Sequence, residues 1–227
     1  MMSAETDRLS NGPEMRAVAA WEVVSIISSA LIASWAVQAL AEGNRYVLSI
    51  PIASAFALMI FSHRARGESA RDLGFRLDTF PRALLLLVPV MIVASIALVI
   101  IGWLSGGLRV RLLAGKGIIL TPLWGFTWGL LQQYALQGFI NRRVQLFLGR
   151  GVRSVLVVAC IFALLHLPNP VLTLATFAGG VLWAAVYQRA PNLYALALSH
   201  SVMTWVLIST LPASALKGLR IGYKFFG

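Results

Sequence analysis

The sequence predicts an all-α fold, a polytopic transmembrane helical bundle of about seven spans, with six to eight as the limits. Of its 227 residues, 59% are hydrophobic and only 12% are charged, whereas about a quarter of the residues in a soluble domain are charged. The mean hydropathy is +0.80, and the apolar residues form runs close to the ~20 residues that cross a bilayer. We find no internal repeat and no low-complexity linker, which indicates a single helical domain.

The apolar runs define the predicted elements. We expect spans at 17–41, 46–62, 82–104, 118–140, 154–168, 170–187 and 191–211. The fifth and sixth are short, and Pro168-Asn169-Pro170 forces a break between them. Residues 1–16 are expected to form a polar tail without the pattern of a secretory signal peptide. Residues 17–211 form the predicted transmembrane domain, and residues 212–227 a basic C-terminal tail.

The distribution of charge indicates a membrane topology. The net charge is +11, but the arginines lie between the apolar runs, where membrane proteins keep topology signals and contact anionic lipids, so nucleic-acid binding is not predicted. With seven spans, twelve Lys and Arg residues fall on the N-terminal side and seven on the other. This bias predicts a cytoplasmic N-terminus. We therefore expect an integral protein of a bacterial inner (plasma) membrane, with membrane lipids as partners.

The carboxylates are confined to one part of the chain. All eight Asp and Glu residues lie in the first 78 residues, and residues 79–227 contain none. Glu22 is the only acid within an apolar run, and its place near the start of the span predicts a side chain that snorkels to the interface. His63, at the end of a span, is likewise expected at the interface. The single cysteine, Cys160, excludes an internal disulfide.

Four amide side chains interrupt the fourth apolar run. They are Gln132, Gln133, Gln137 and Asn141. Together with two glycines, Gly125 and Gly129, the last three recur every four residues and form one stripe on a helix. The glycines allow a neighbouring backbone to come close, and the amides can then bond across that contact. Two interpretations stand: hydrogen bonds that hold helices together, or a functional cluster.

Two histidines lie in other spans. Phe162 and His166 are one helical turn apart at the end of the fifth span, and His200 and Thr204 are one turn apart in the seventh. A lone histidine in an apolar run is more often structural than functional, yet ionisable residues within spans are functional candidates by default. Two histidines and an amide cluster in three spans indicate a single site.

Metal and triad chemistry are not predicted for this site. A catalytic zinc site takes three protein ligands, and here only the two histidines qualify, so we expect neither a metal nor a cofactor. Ser199 is adjacent to His200, and adjacent helical residues do not face each other, so they do not form a catalytic dyad. We find no glycine-rich phosphate loop.

Three segments carry a family resemblance: "QQYALQG", "FALLH" and "HSVMT", in this order, with "FINRR" and "HLPNP" after the first two and "ARDLGFRL" upstream. Over residues 65–211 the chain resembles the CPBP family of intramembrane proteases (the CAAX prenyl protease and bacteriocin-processing, or Abi, group). That family has EExxxR, FxxxH and a second His followed four residues later by Asn. The corresponding residues here are Gln132 and Gln133 for the glutamates, Gln137 for the arginine, Phe162, His166 and His200 unchanged, and Thr204 for the asparagine.

The resemblance implies that the first glutamate position and the first histidine activate a water, while the second histidine and its partner stabilise the oxyanion. In this chain the acids and the balancing arginine are all amides, which keeps a buried cluster neutral. An amide has no useful basicity near neutral pH.

Two functions stay open. The first is an intramembrane endopeptidase with His166 as base, Gln132 and Gln133 orienting water, and His200 and Thr204 polarising the carbonyl. The second is an inactive pseudoprotease, a membrane scaffold that binds a peptide or a membrane-protein partner. A transporter or an accessory subunit is a third candidate. It is weaker because transporters often contain inverted repeats, and this sequence shows no internal repeat.

Overall fold

The computed structural model describes residues 12–41, 44–108 and 117–227, and every regular element in these ranges is helical, which confirms the all-α prediction. Residues 1–11 of the predicted tail, and the loop cations Arg109, Arg111 and Lys116 used in the orientation count, lie outside the described residues. The elements are α1 Pro13–Leu31, π1 Ile32–Val37, α2 Gln38–Leu40, α3 Arg45–Ala65, α4 Phe80–Leu104, α5 Gly117–Gln133, π2 Tyr134–Asn141, α6 Arg142–Leu148, α7 Val152–Leu164, α8 Pro170–Arg189, α9 Leu193–Thr210, α10 Ala213–Leu216 and two 3-10 turns, Lys217–Leu219 and Gly222–Phe225.

The helices follow the predicted spans. Five of them are long and apolar enough to cross a membrane: Pro13–Leu40, Tyr46–Ala65, Phe80–Leu104, Pro170–Arg189 and Leu193–Thr210. The fifth predicted span is the shorter apolar helix α7. The fourth corresponds to α5, which continues through π2 into α6. The outward face of α4 is apolar, with Leu85, Val93 and Trp103 more than two thirds exposed, as expected of a surface that contacts lipid.

The core surrounds the π2 segment. Phe139 and Ile140 of π2 are buried together with Val158 of α7, Ala184 of α8 and Leu196 of α9. Because these side chains come from four consecutive passes, π2 lies at the centre of the bundle. Residues adjoining π2 are therefore held by contacts on several sides.

The predicted close contact at the glycines is present. The stripe of glycines and amides, however, does not face a single neighbouring helix along its whole length. A Cβ atom at Gly129 would lie 3.0 Å from the Ala197 carbonyl oxygen, so α5 and α9 come close here. A π turn holds one more residue than an α turn, and beyond Gln133 the amides face a different helix. Asn141 Nδ2 donates to the Ala184 carbonyl of α8 at 3.4 Å. The last amide of the stripe, Asn141, thus bonds to α8.

The expectation that Glu22 snorkels to the interface is wrong. Its carboxylate accepts hydrogen bonds from Ser62 Oγ at 2.6 Å, Arg66 at 3.1 Å and Arg143 Nε at 2.9 Å. Arg143 is 1% exposed, and its guanidinium also lies 4.7 Å over the Phe139 ring. A buried charge is retained only where it is paired and hydrogen-bonded. Glu22 on α1 and Arg143 on α6 pair with each other, and Ser62 on α3 donates to Glu22.

Glu68, in the connection after α3, completes this buried ionic cluster. Arg143 donates to it at 2.7 Å and Arg142 at 2.6 Å, and His63 Nδ1 lies 2.6 Å from it. Burial raises the pKa of Glu68, but the hydrogen bonds to His63, Arg143 and Arg142 outweigh burial and hold that pKa well below its usual range. His63 is 4% exposed and not at the interface as predicted, because its ring packs against Phe139.

The C-terminal segment folds back onto the turn between α7 and α8. Asn169 Nδ2 donates to the carbonyls of Leu216 and Arg220 at 3.0 and 3.1 Å, and Gly222 N donates to the Leu167 carbonyl at 2.8 Å. The tail predicted only as basic is therefore attached to the bundle by hydrogen bonds.

Replacing Gly222 by alanine should release this segment, whereas the same change at Gly218 should not. Both glycines have positive φ, 56° and 63°, so alanine costs about 1–2 kcal/mol at either site. Only at Gly222 would the Cβ atom also clash, at 2.2 Å from the Ser34 carbonyl oxygen, which adds about 1–3 kcal/mol. Unfolding in detergent and limited proteolysis of the tail would measure the difference, and equal losses for the two variants would contradict it.

Candidate active site

Two cavities meet inside the bundle. The α3 cavity, between α1, α3 and α5, has a volume of about 550 Å³, and the α4 cavity, between α4, α5, α8 and α9, has about 630 Å³. Both are of the size that binds small ligands. Five residues line both cavities and define the junction between them: Trp128, Gln132, His166, Leu219 and Ile221.

Gln132 presents an unpaired oxygen in this region. Its Oε1 atom is buried and has no hydrogen-bond partner among the described residues. A buried polar atom without a partner is costly, and each such atom in a native structure calls for an explanation. Because the side chain also lines both cavities, this oxygen can accept a hydrogen bond from a molecule at the junction.

His166 has a defined orientation at the end of α7. Its Nδ1 atom lies 2.7 Å from the Phe162 carbonyl oxygen. A carbonyl only accepts, so Nδ1 carries the proton and Nε2 of the neutral ring keeps its lone pair. The Phe162 ring packs edge-on against the imidazole, with the centroids 4.7 Å apart. The arrangement suits a base at Nε2.

His200 has the opposite tautomer. Its Nδ1 atom lies 3.2 Å from Gln133 Nε2, and an amide nitrogen only donates, so in this orientation Nδ1 accepts and Nε2 carries the proton. The ring stacks on Trp183 at 4.7 Å and an interplanar angle of 11°. Trp183 in turn donates from Nε1 to Ser199 Oγ at 2.8 Å. With this orientation of the Gln133 amide, His200 Nε2–H is available as a hydrogen-bond donor.

Thr204 lies in the wall of a cavity at this site, whereas Gln137 does not. Thr204 lines the α4 cavity with His200 and His166. Gln137 lines neither cavity; it is fully buried, and its Oε1 accepts from Asn141 Nδ2 at 2.7 Å. Five of the seven candidate residues thus line the cavities, Gln133 adjoins them through its hydrogen bond to His200, and Gln137 lies in a neighbouring amide cluster.

Sequence reasoning missed two contributors. The first is Trp183, whose position within the helix after Gly179-Gly180, away from a span end, could have indicated a buried role. Leu219 and Ile221 close the junction from the C-terminal segment. No pattern in the sequence points to that contact, since it depends on the path of the chain after α9.

No carboxylate lines either cavity in the described part of the chain. Glu22 and Glu68 bind Arg143, which is ten residues beyond Gln133, or about 15 Å along a continuous helix. Within the same ranges, no group of three His, Cys, Asp or Glu side chains is placed to hold a metal ion. The chemistry available in the α4 cavity is that of two imidazoles, the Gln132 amide and the Thr204 hydroxyl.

Comparison with known proteins places the chain in a family. The family model described as type II CAAX prenyl endopeptidase Rce1-like matches residues 83–206, more than half of the chain and all seven candidate residues. No curated protein and no solved structure matched. The match confirms the resemblance to CAAX proteases drawn from the three motifs. This integral membrane chain belongs to the Rce1-like type II CAAX prenyl endopeptidase family.

Proposed function

We propose that this protein is an intramembrane endopeptidase that hydrolyses peptide bonds at the junction of the two cavities, with His166 as general base. The proposal rests on the placement of two imidazoles beside Gln132: with Nδ1 toward the Phe162 carbonyl, His166 offers a lone pair at Nε2, and with Gln133 Nε2 donating to its Nδ1, His200 offers a proton at Nε2. Peptide hydrolysis needs one group of each kind, a base for the water and a donor for the oxyanion.

The reaction follows from these groups. Gln132 Oε1 accepts one hydrogen bond of the attacking water and orients it, while His166 Nε2 takes the other proton as the water oxygen bonds to the carbonyl carbon. His200 Nε2–H, aided by Thr204, stabilises the negative charge on the carbonyl oxygen. When the tetrahedral intermediate collapses, the C–N bond breaks and His166 returns its proton to the amine nitrogen. The products are a carboxylic acid and an amine.

The orientation in the membrane and the nature of the substrate are inferred from the charges of the bundle. We place the N-terminus in the cytoplasm of a bacterial cell, because the described cations at that end of the bundle include Arg64, Arg66, Arg142 and Arg143. The substrate is a peptide or membrane protein whose apolar part occupies the α4 cavity, whose wall in the described part of the chain has no Lys, Arg, Asp or Glu side chain.

Replacing His166 by alanine should lower turnover by about 10²–10⁴-fold, the usual contribution of a general base. Initial rates would be measured on a library of peptides and prenylated peptides with the full chain in liposomes. Leu164→Ala, an exposed position on the same helix, serves as the control and should retain the wild-type rate. Unchanged turnover in a folded His166→Ala protein would overturn the proposal.

A second function is favoured by the absence of carboxylates from residues 79–227. The protein would then be a pseudoprotease that binds a peptide or a partner helix without cleaving it. This alternative predicts that both the wild type and His166→Ala bind the same peptides and that neither releases product. Detectable turnover that is lost in His166→Ala would exclude it.

A further inference from the structure

We propose that the α3 cavity is a binding site for an anionic membrane phospholipid, whose acyl chain fills the cavity and whose headgroup contacts Arg220 and Lys224. The proposal does not depend on peptide hydrolysis, since a pseudoprotease would have the same site. It rests on the wall of the cavity, on the two cations at its mouth and on the way the C-terminal segment is held.

The wall of the α3 cavity suits a hydrocarbon chain. On α3 it is formed by Leu48, Ile52, Ala55 and Met59, which recur at helical spacing and present one apolar face about 16 Å long. Side chains of α1 and π2, among them Ile26, complete it. A volume of about 550 Å³ leaves room for a ligand well above the size of a few waters.

An acyl chain fits this wall better than a peptide does. Each peptide unit brings an N–H and a C=O that need partners when buried, and the helix backbones along the wall are already bonded to themselves. The uncharged polar side chains of the wall are few: Ser34, Gln38, Gln132 and His166. A hydrocarbon chain needs no partner along the rest of the wall.

The mouth of the cavity is cationic. Among the described residues, Arg220 and Lys224 are the only Lys, Arg, Asp or Glu side chains that line it, and both are exposed. In the described ranges neither forms a salt bridge with a carboxylate. Unpaired cations beside an apolar cavity attract an anionic headgroup over a zwitterionic one.

The cations are held in place by the fold. Asn169 Nδ2 donates to the Arg220 carbonyl at 3.1 Å, and Gly222 N donates to the Leu167 carbonyl at 2.8 Å. The Phe226 ring packs against Trp35 of π1, with the centroids 6.3 Å apart. The segment therefore presents Arg220 and Lys224 from a fixed backbone, as a binding site requires.

The test compares phosphatidylglycerol with phosphatidylcholine of the same acyl chains, binding to the full-length protein in detergent by native mass spectrometry. We expect wild-type protein to bind phosphatidylglycerol at least 10-fold more tightly. The double variant Arg220→Gln/Lys224→Gln should lose about 25-fold, since each cation near an anionic headgroup contributes about 5-fold. The matched control Lys217→Gln/Arg153→Gln removes two exposed cations that do not line the cavity and should bind as wild type.

A third variant tests the acyl chain. Ala55→Phe places a ring in the cavity and should reduce phosphatidylglycerol binding while both cations stay; thermal unfolding would verify that it folds. Equal binding of the two lipids, an unchanged double variant or an unchanged Ala55→Phe protein would overturn the proposal. So would displacement of the lipid by a soluble peptide through its C-terminal carboxylate, which would assign the cations to a peptide.

Discussion

Replacing Gln132 by glutamate should raise the rate of peptide hydrolysis by about 10²–10⁴-fold, the range that a well-placed general base contributes. The side chain lines both cavities beside His166, so a carboxylate there can take the proton of the attacking water or stabilise the His166 imidazolium. Gln132 is not fully buried, and the adjoining cavities offer room for water, so the new charge can be solvated. Quenched fluorescent peptides in liposomes would report the initial rates.

Gln133→Glu provides the matched control, the same chemical change one residue along. Gln133 is 0% exposed and donates to His200 Nδ1. A carboxylate only accepts, so His200 would have to move its proton to Nδ1 and would lose the Nε2–H donor. We expect no gain in rate and a less stable protein. A folded Gln132→Glu variant that is no faster than the wild type would remove Gln132 from the water-binding role.

The second large effect concerns stability. Arg143→Met should lower the free energy of unfolding by about 3–5 kcal/mol, the usual cost of removing one partner of a buried ion pair. Arg143 is 1% exposed and binds both Glu22 and Glu68, so its loss leaves two buried carboxylates short of a cation. Methionine keeps the length and apolar contacts of the side chain, which restricts the change to the charge. Unfolding in mixed micelles would measure the loss.

Two comparisons make this prediction specific. Arg71→Met breaks an exposed ion pair with Asp78, in which the side chains are 66% and 45% exposed, and should leave the free energy of unfolding nearly unchanged. In a double-mutant cycle, Glu22→Gln should cost less in the Arg143→Met background than in wild type. Additive losses in the cycle, or a loss for Arg143→Met no larger than for Arg71→Met, would contradict the role given to this cluster.

The fold class, the approximate positions of the passes and the family can all be predicted from the amino-acid sequence. Runs of apolar residues near span length can form only helices in a bilayer, because each backbone N–H and C=O must be bonded within the segment. The three motifs were sufficient to indicate the CAAX protease resemblance, since histidines and amides are rare inside spans and their order is distinctive. The fold class, the positions of the passes and the motifs depend on the local sequence and on the bilayer that surrounds the helices.

The tertiary structure alone decided which of the polar residues act together. The amides at 133 and 137 belong to one predicted stripe, yet Gln133 reaches His200 while Gln137 bonds to Asn141. Glu22 pairs with Arg143 across 121 positions of the chain, which no local pattern reveals. The cavities and the cations at the mouth of the α3 cavity likewise depend on where the last segment docks. Contacts between distant residues are set by packing, so helix periodicity in a single sequence does not specify them.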